Sequence, residues 1–305
     1  VPGEKAPVRP IRKAPTAPLP VSISMTSTEI RYIGRFDWRD KAGPRCAWLA
    51  SAVQLRFQGS ALQIALREFG TNEYQVVIDD VPTTILKPEP GMGLYSLATD
   101  LPRGAHTALL VKRTEASVGV TQFQGLHLDA GAKLLTPPRA RHRIEIIGDS
   151  ITCGYGNEGK DRTEHFAPGT ENAYLTYGAI AARKLGAEYA AIAWSGRTMY
   201  PSFTIPEIYD RALPSDPGSS WDFHRWRPDV LLINLGTNDF GGKTNPERKP
   251  WIDAYQAFLT RLRKRHGSKA PIYLATGPMM SDSWPPNRKA LSTLKDYLAQ
   301  IVTER

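Results

Sequence analysis

The chain has 305 residues, enough for two domains and a sizeable core, and its 41% hydrophobic and 23% charged content is that of an ordinary globular protein. No stretch reaches the about 18 apolar residues of a membrane span, so no membrane partner is expected. The net charge of +9 is scattered, and its one dense run (Arg261 to Arg265, with His266 and Lys269) closes a predicted helix. Cations there complement the helix dipole and face water, which argues against nucleic acid as a partner.

In chain order, Val1 opens the sequence without a charged-then-apolar signal segment, as a processed mature end or an expression boundary would. Residues 1 to 22 carry six prolines and read as an extended linker or disordered arm. Over residues 23 to 136 the chain alternates in short bursts: Val53–Phe57, Leu62–Leu66, Tyr74–Ile78, Ala108–Val111 and Val120–Phe123. Turn signals separate them and no helical period intervenes, so this part is expected to form an antiparallel β-sandwich of jelly-roll type. Pro137 to Arg143 is a short basic linker.

From Arg143 to Arg305 the period changes. Strands are predicted at Arg143–Ile147, Tyr189–Ala193, Val230–Leu235 and Ile272–Ala275. Helices are predicted at Ala173–Leu185, Pro250–His266 and Asn287–Glu304. The alternation implies an α/β domain with a doubly wound parallel sheet, whose functional loops lie at the carboxyl ends of its strands. Two cysteines, Cys46 and Cys153, exclude a disulfide framework. Cys153 reads as a small buried thiol, and a bridge between the two would have to join the two predicted domains.

Three strand ends carry the chemistry. The run Ile144–Ile147 breaks at Gly148-Asp149-Ser150, Ala190–Ala193 leads to Ser195-Gly196-Arg197, and Val230–Leu235 breaks at Gly236-Thr237-Asn238-Asp239. A serine hydroxyl, a glycine amide free of side-chain obstruction and an asparagine amide are the parts of an acyl-transfer site. Ser150 is the candidate nucleophile; its own amide, Gly196 and Asn238 are the candidate oxyanion donors. Asp149, adjacent to the nucleophile, cannot easily orient a base opposite it and reads as a loop-structuring carboxylate. Taken singly, Ser150 could cap a helical turn, Gly196 could be a turn residue and Asn238 an Asx-turn residue. Their convergence at three strand ends favours the site. No His, Asp or Cys cluster has metal-ligand spacing, so neither a metal nor another cofactor is expected.

These blocks resemble the SGNH, or GDSL-type, hydrolase superfamily. The longer strings Gly148–Gly156, Ser195–Arg197 and Asn234–Phe240 look more narrowly like carbohydrate esterase family 2, as do Lys112-Arg-Thr-Glu115 and Phe123-Gln-Gly125 in the β-rich half. The resemblance implies a secreted or periplasmic serine esterase that removes acetyl groups from acetylated poly- or oligosaccharides of the xylan or glucomannan type. A lipid or thioester hydrolase of the same superfamily, or a non-catalytic carbohydrate-binding relative, is the alternative. It further implies an aromatic-lined sugar cleft, for which Tyr200 and Trp284 are the candidate platforms; loop packing is their other reading.

The family's fourth block, which supplies a histidine base, has no match. Of the six histidines, His106 and His127 fall in the sandwich, while His142, His224 and His266 fall at the wrong end of the sheet. Only His165 lies in a loop at the catalytic rim. The base is therefore expected beyond Arg305, in a further strand and loop that would also cover the apolar edge of the Ile272 strand.

Overall fold

The computed structural model describes residues 17–304 and, upstream of them, the backbone pairing of Arg9–Pro10. Among the described residues, twelve strands precede residue 136: β1 (Arg9–Pro10), β2 (Val21–Ile23), β3 (Arg31–Ile33), β4 (Arg45–Cys46), β5 (Ala52–Gly59), β6 (Leu62–Glu68), β7 (Tyr74–Ile78), β8 (Val81–Leu86), β9 (Gly91–Ala98), β10 (Gly104–Lys112), β11 (Thr121–Leu128) and β12 (Lys133–Leu135). One sheet runs β1-β8-β7-β10-β5-β12 with β3 beside β5, and the facing sheet runs β2-β11-β6-β9 with β4 beside β11. All pairings are antiparallel except that of β1 with β8. Period-two patterning decides which face is inside: Val53, Leu55 and Phe57 are buried while Arg56 and Gln58, on either side of Phe57, are exposed. They meet Leu62, Ile64, Leu66, Leu110 and Phe123 in one core between the sheets.

Part of the stretch read as an arm is ordered into sheet. Val21–Ile23 pairs with Leu126–Leu128, and Arg9–Pro10 pairs with Thr84–Ile85; residues 1–8 and 11–16 lie outside the described ones.

The second half holds β13 (His142–Gly148), α1 (Ser150–Cys153), α2 (Tyr177–Lys184), β14 (Ala187–Ala193), α3 (Ile205–Ile208), β15 (Val230–Asn234), α4 (Thr237–Phe240), α5 (Arg248–His266), β16 (Ile272–Leu274) and α6 (Ala290–Thr303). The four strands form a parallel sheet in the order β14-β13-β15-β16. Because successive strands leave β13 in opposite directions, the crevice at its carboxyl end is where the fold places a site. The predicted helix over Ala173–Leu185 is interrupted. Ala173–Leu175 is a separate 3₁₀ turn, and the Thr176 side chain accepts from the Ala179 N–H as the cap of α2. The basic run ends α5 as expected: Arg263 donates to the carbonyls of Gly267, Ser268 and Ala270, and Arg265 pairs with Asp210.

The two halves share their packing. Trp48, from the sandwich, is 1% exposed within the hydrophobic cluster of the parallel-sheet half, and its Nε1 donates to the Arg211 carbonyl at 3.1 Å. A cavity of about 390 Å³ opens between the halves near the amino end of the sheet, lined by Tyr32, Trp38, Arg139, Arg143 and Trp226 among others. It lies at the end opposite Ser150. Cys46 and Cys153 are both free and buried, each in its own half, so the chain has no bridge between them.

Candidate active site

Ser150, the first residue of α1, stands two positions past the end of β13, with Asp149 between. The turn is tight enough that a Cβ at Gly148 would stand 2.0 Å from Thr152 Oγ1. Only glycine lets the helix start so close to its strand. Asp149 caps α1, its Oδ1 accepting from the Ile151 N–H at 3.0 Å. The capping role therefore falls to Asp149 and not to Ser150, whose half-buried hydroxyl makes no hydrogen bond among the described residues.

Asp149 itself is buried, its Oδ2 has no partner, and desolvation pushes its carboxyl up to about 6, reinforced by the nearby charge of Asp239. The first and third motif blocks are thus neighbours. The second and third are joined directly: Asn238, on α4, donates from Nδ2 to the carbonyl of Arg197 at 2.9 Å. That bond replaces the Asx turn considered for Asn238 and leaves its second amide hydrogen free of it.

Gly196 is exposed with φ +78°, a conformation that suits glycine. A Cβ there would meet only the Phe203 ring, at 3.9 Å. The loop that carries it is fixed after Gly196 by Asp239, which accepts from the N–H groups of Met199 (3.0 Å) and Tyr200 (2.9 Å) and from Trp251 Nε1 (2.8 Å). Before Gly196 it is fixed by Glu115, which accepts from the Ser195 N–H at 2.8 Å. The Arg197 guanidinium lies 4.6 Å from the Trp194 ring and 4.0 Å from that of Phe203, and it donates to the Thr204 carbonyl.

Sequence reasoning missed Asp239 as an organiser, Phe203 (51% exposed beside Gly196) and Glu115. The Asn-Asp pairing in the third block held a signal for the first. Nothing local marked Phe203, and Glu115 stood out only as the end of the Lys112–Glu115 string that resembles the family, with no role attached.

Of the proposed sugar platforms, Trp284 is 70% exposed, whereas Tyr200 is half-buried against the hydrophobic cluster. Four histidines have hydrogen-bonded duties away from Ser150. His106 meets Asp79 and the Pro102 carbonyl, and His127 meets Ser22. His224 meets Arg227, and His266 meets Tyr209. His142 opens β13, and His165 sits exposed in the loop after α1. None is hydrogen-bonded to Ser150.

Two family models match the chain. Residues 32–138 match the carbohydrate esterase 2 N-terminal family, and residues 146–304 match the GDSL-like lipase/acylhydrolase family. Over 281 residues the chain is 38% identical to the cellulase/esterase CelE of Acetivibrio thermocellus, covering 90% of this chain and 33% of that protein. Over 272 residues it is 28% identical to an acetylxylan esterase / glucomannan deacetylase of Cellvibrio japonicus, covering 85% of this chain and 74% of that one. The chain thus spans about a third of the length of the first relative. Among solved structures, a family two carbohydrate esterase from Clostridium thermocellum in complex with cellohexaose superposes with TM-score 0.83 at 36% identity, over 90% of this chain and 84% of that one. One from Cellvibrio japonicus superposes with TM-score 0.84 at 25% identity, over 93% and 85%. By fold, motif and likeness along nearly its whole described length, the chain belongs to the GDSL-like hydrolases and, within them, to carbohydrate esterase family 2.

Proposed function

We propose that this protein is a serine esterase that removes O-acetyl groups from plant cell-wall polysaccharides or oligosaccharides of the xylan or glucomannan type. The observation that carries the reading is the division of labour at the first motif: Asp149 does the capping, and the Ser150 hydroxyl is left unbonded at the carboxyl end of the central strand. Ser150 attacks the ester carbonyl, and the tetrahedral oxyanion is met by the amides of Ser150 and Gly196 and by the free Asn238 amide hydrogen. The Ser150 proton passes to the histidine base that the family resemblance implies and from it to the leaving sugar oxygen as the acetyl C–O bond breaks, and water then hydrolyses the acetyl-Ser150 ester to acetate. Small and polar residues around Ser150 (Gly154, Gly156 and Asn157) fit acetyl better than a long acyl chain. Trp284 and Tyr200 supply stacking surface for a pyranose ring. The names of the relatives support an acetylated glycan as the substrate class, and a polymer of the plant cell wall as substrate supports a secreted or periplasmic location.

The test is acetate release by the full natural chain from acetylated xylan and glucomannan oligosaccharides, alongside a series of 4-nitrophenyl esters. Acetyl should be the fastest of the series. Rates rising with acyl length would favour a lipid or thioester hydrolase, and saccharide binding without acetate release would favour the non-catalytic reading.

A further inference from the structure

The loop bearing Gly196 is held on one side by a residue that belongs to the other half of the molecule. Glu115 lies just past β10 in the sandwich, is 4% exposed, and has every polar group engaged. Its Oε2 accepts from the Ser195 N–H at 2.8 Å and its Oε1 from the Ser117 hydroxyl. Its own N–H donates to Glu171 Oε2 at 2.7 Å, and its carbonyl accepts from the fully buried Lys112 ammonium at 3.0 Å. A side chain clamped at both backbone atoms and both carboxylate oxygens cannot change rotamer without breaking several of these bonds.

The peptide plane that carries the Gly196 N–H begins at Ser195 Cα, so a displacement of Ser195 tilts that plane directly. On the far side the Arg197 carbonyl is held by Asn238 at 2.9 Å. The Gly196 amide therefore hangs between two fixed points, one of them Glu115. Glycine, with its wide conformational freedom, would otherwise let the amide wander.

Glu115, Glu171 and Cys153 offer ligand atoms that all lie within 4.8 Å of one another, which invites a metal-site reading. Three of the four carboxylate oxygens already accept from O–H or N–H donors, and burial keeps the Cys153 thiol protonated. The cluster is built to hold protons and a loop, not an ion.

We propose that Glu115 is a positioning residue for catalysis: from the sandwich it holds the Ser195 amide and so aims the Gly196 N–H at the developing oxyanion. The proposal rests on the reading of Gly196 as an oxyanion donor. It makes the oxyanion hole a two-domain construction, with the sandwich contributing to the chemical step as well as to the core.

Two conservative variants of the full natural chain separate reach from charge. Glu115→Gln keeps an acceptor oxygen at the same distance, and its NH₂ can donate to the Ser117 hydroxyl. Glu115→Asp keeps the charge but withdraws the oxygens by one methylene. We expect Glu115→Asp to lower kcat about 10²-fold, the effect of losing one oxyanion donor, with KM within about twofold. Glu115→Gln should stay within about fivefold of the parent. Thermal melts verify that both are folded at the assay temperature. If Glu115→Asp keeps the parent kcat, if both variants lose kcat alike, or if the Gln variant is the worse of the two, the proposal is overturned. Ser150→Ala and Asn238→Ala in the same assay keep the outcomes distinct. Retained activity in those would sink the site assignment itself, whereas their loss beside an unaffected Glu115→Asp would sink only the role of Glu115.

Discussion

At the amino end of the parallel sheet, buried carboxylates meet arginines: Glu145 lies 3.5 Å from Arg35, and Glu188 sits between Arg31 and Arg143, at 3.2 Å from the latter. At the carboxyl end, Asp149, Asp239, Glu115 and Glu171 have no ion pair with a lysine or arginine among the described residues. Lys112, beside them, spends its hydrogen bonds on the carbonyls of Thr114 and Glu115 and on the Thr114 hydroxyl. Those acids accept from N–H and O–H donors instead, and burial pushes Asp149 up to about 6 and Glu171 up to about 8. Asp239 moves in the same direction. One end of the sheet is neutralised for stability. The other keeps uncompensated acids in place because they hold loops, and perturbed acids concentrated at one end of an open sheet mark its working face.

The sharpest way to break this comparison is Ser150→Ala in the full natural chain. It should lower 4-nitrophenyl acetate hydrolysis at least about 10³-fold without moving the melting temperature, since it removes a nucleophile and almost no packing. Residual turnover above about a thousandth of the parent rate would take the site away from this end. Next in size, Asn238→Ala should cost about 10²-fold in kcat with little change in KM. A change confined to KM would make Asn238 a ground-state binding residue.

The amino end predicts the opposite behaviour. Glu188→Gln should leave kcat and KM unchanged but lower stability by about 2 kcal/mol, because Arg31 and Arg143 lose their partner. The loss falls below that of a fully buried pair, since the Arg143 side chain is 34% exposed. Denaturant unfolding measures the loss, and a drop in kcat would show that the two ends are coupled.

The smallest effect is on pH dependence. Glu171 faces Glu115, Cys153 and Lys112, and its folded pKa is raised from 4.5 to about 8, by burial first and the Glu115 charge second. Between those values the unfolded chain has released this proton while the folded chain keeps it, so the group withdraws stability as pH rises from about 4.5 to about 8. Glu171→Gln should flatten the fall in melting temperature over that window and leave the variant more stable than the parent near pH 8. An unchanged slope would assign the fall to other groups.

The parallel sheet was legible because its strands are short apolar runs ended by glycine, a pattern that burial on both faces demands. β13 and β14 each extend the predicted strand by one or two residues. The sandwich was legible in class but not in strand count. Val81–Leu86 is interrupted by Pro82 and Gly91–Ala98 contains two glycines, which break the strand pattern of each. Both are strands because their neighbours pair with them. The start of α6 was read three residues early, since Asn287 and Lys289 adopt positive φ and hold the chain out of the helix. Within the site, the three motif blocks could be read from local pattern. Glu115 could not: its partner amide is 80 residues away, and no periodicity encodes a bond across two domains.

Trp48 gives that crossing a further meaning. Its indole belongs by sequence to the sandwich and by packing to the hydrophobic cluster of the parallel-sheet half. The boundary a gene would recognise, at the basic linker Pro137–Arg143, is therefore not a boundary of cooperativity. A hydrolase module excised there would carry a void where an indole had been, and the two halves are expected to melt as one unit. Recombination can exchange such a sandwich only for another that brings its own tryptophan to the same place.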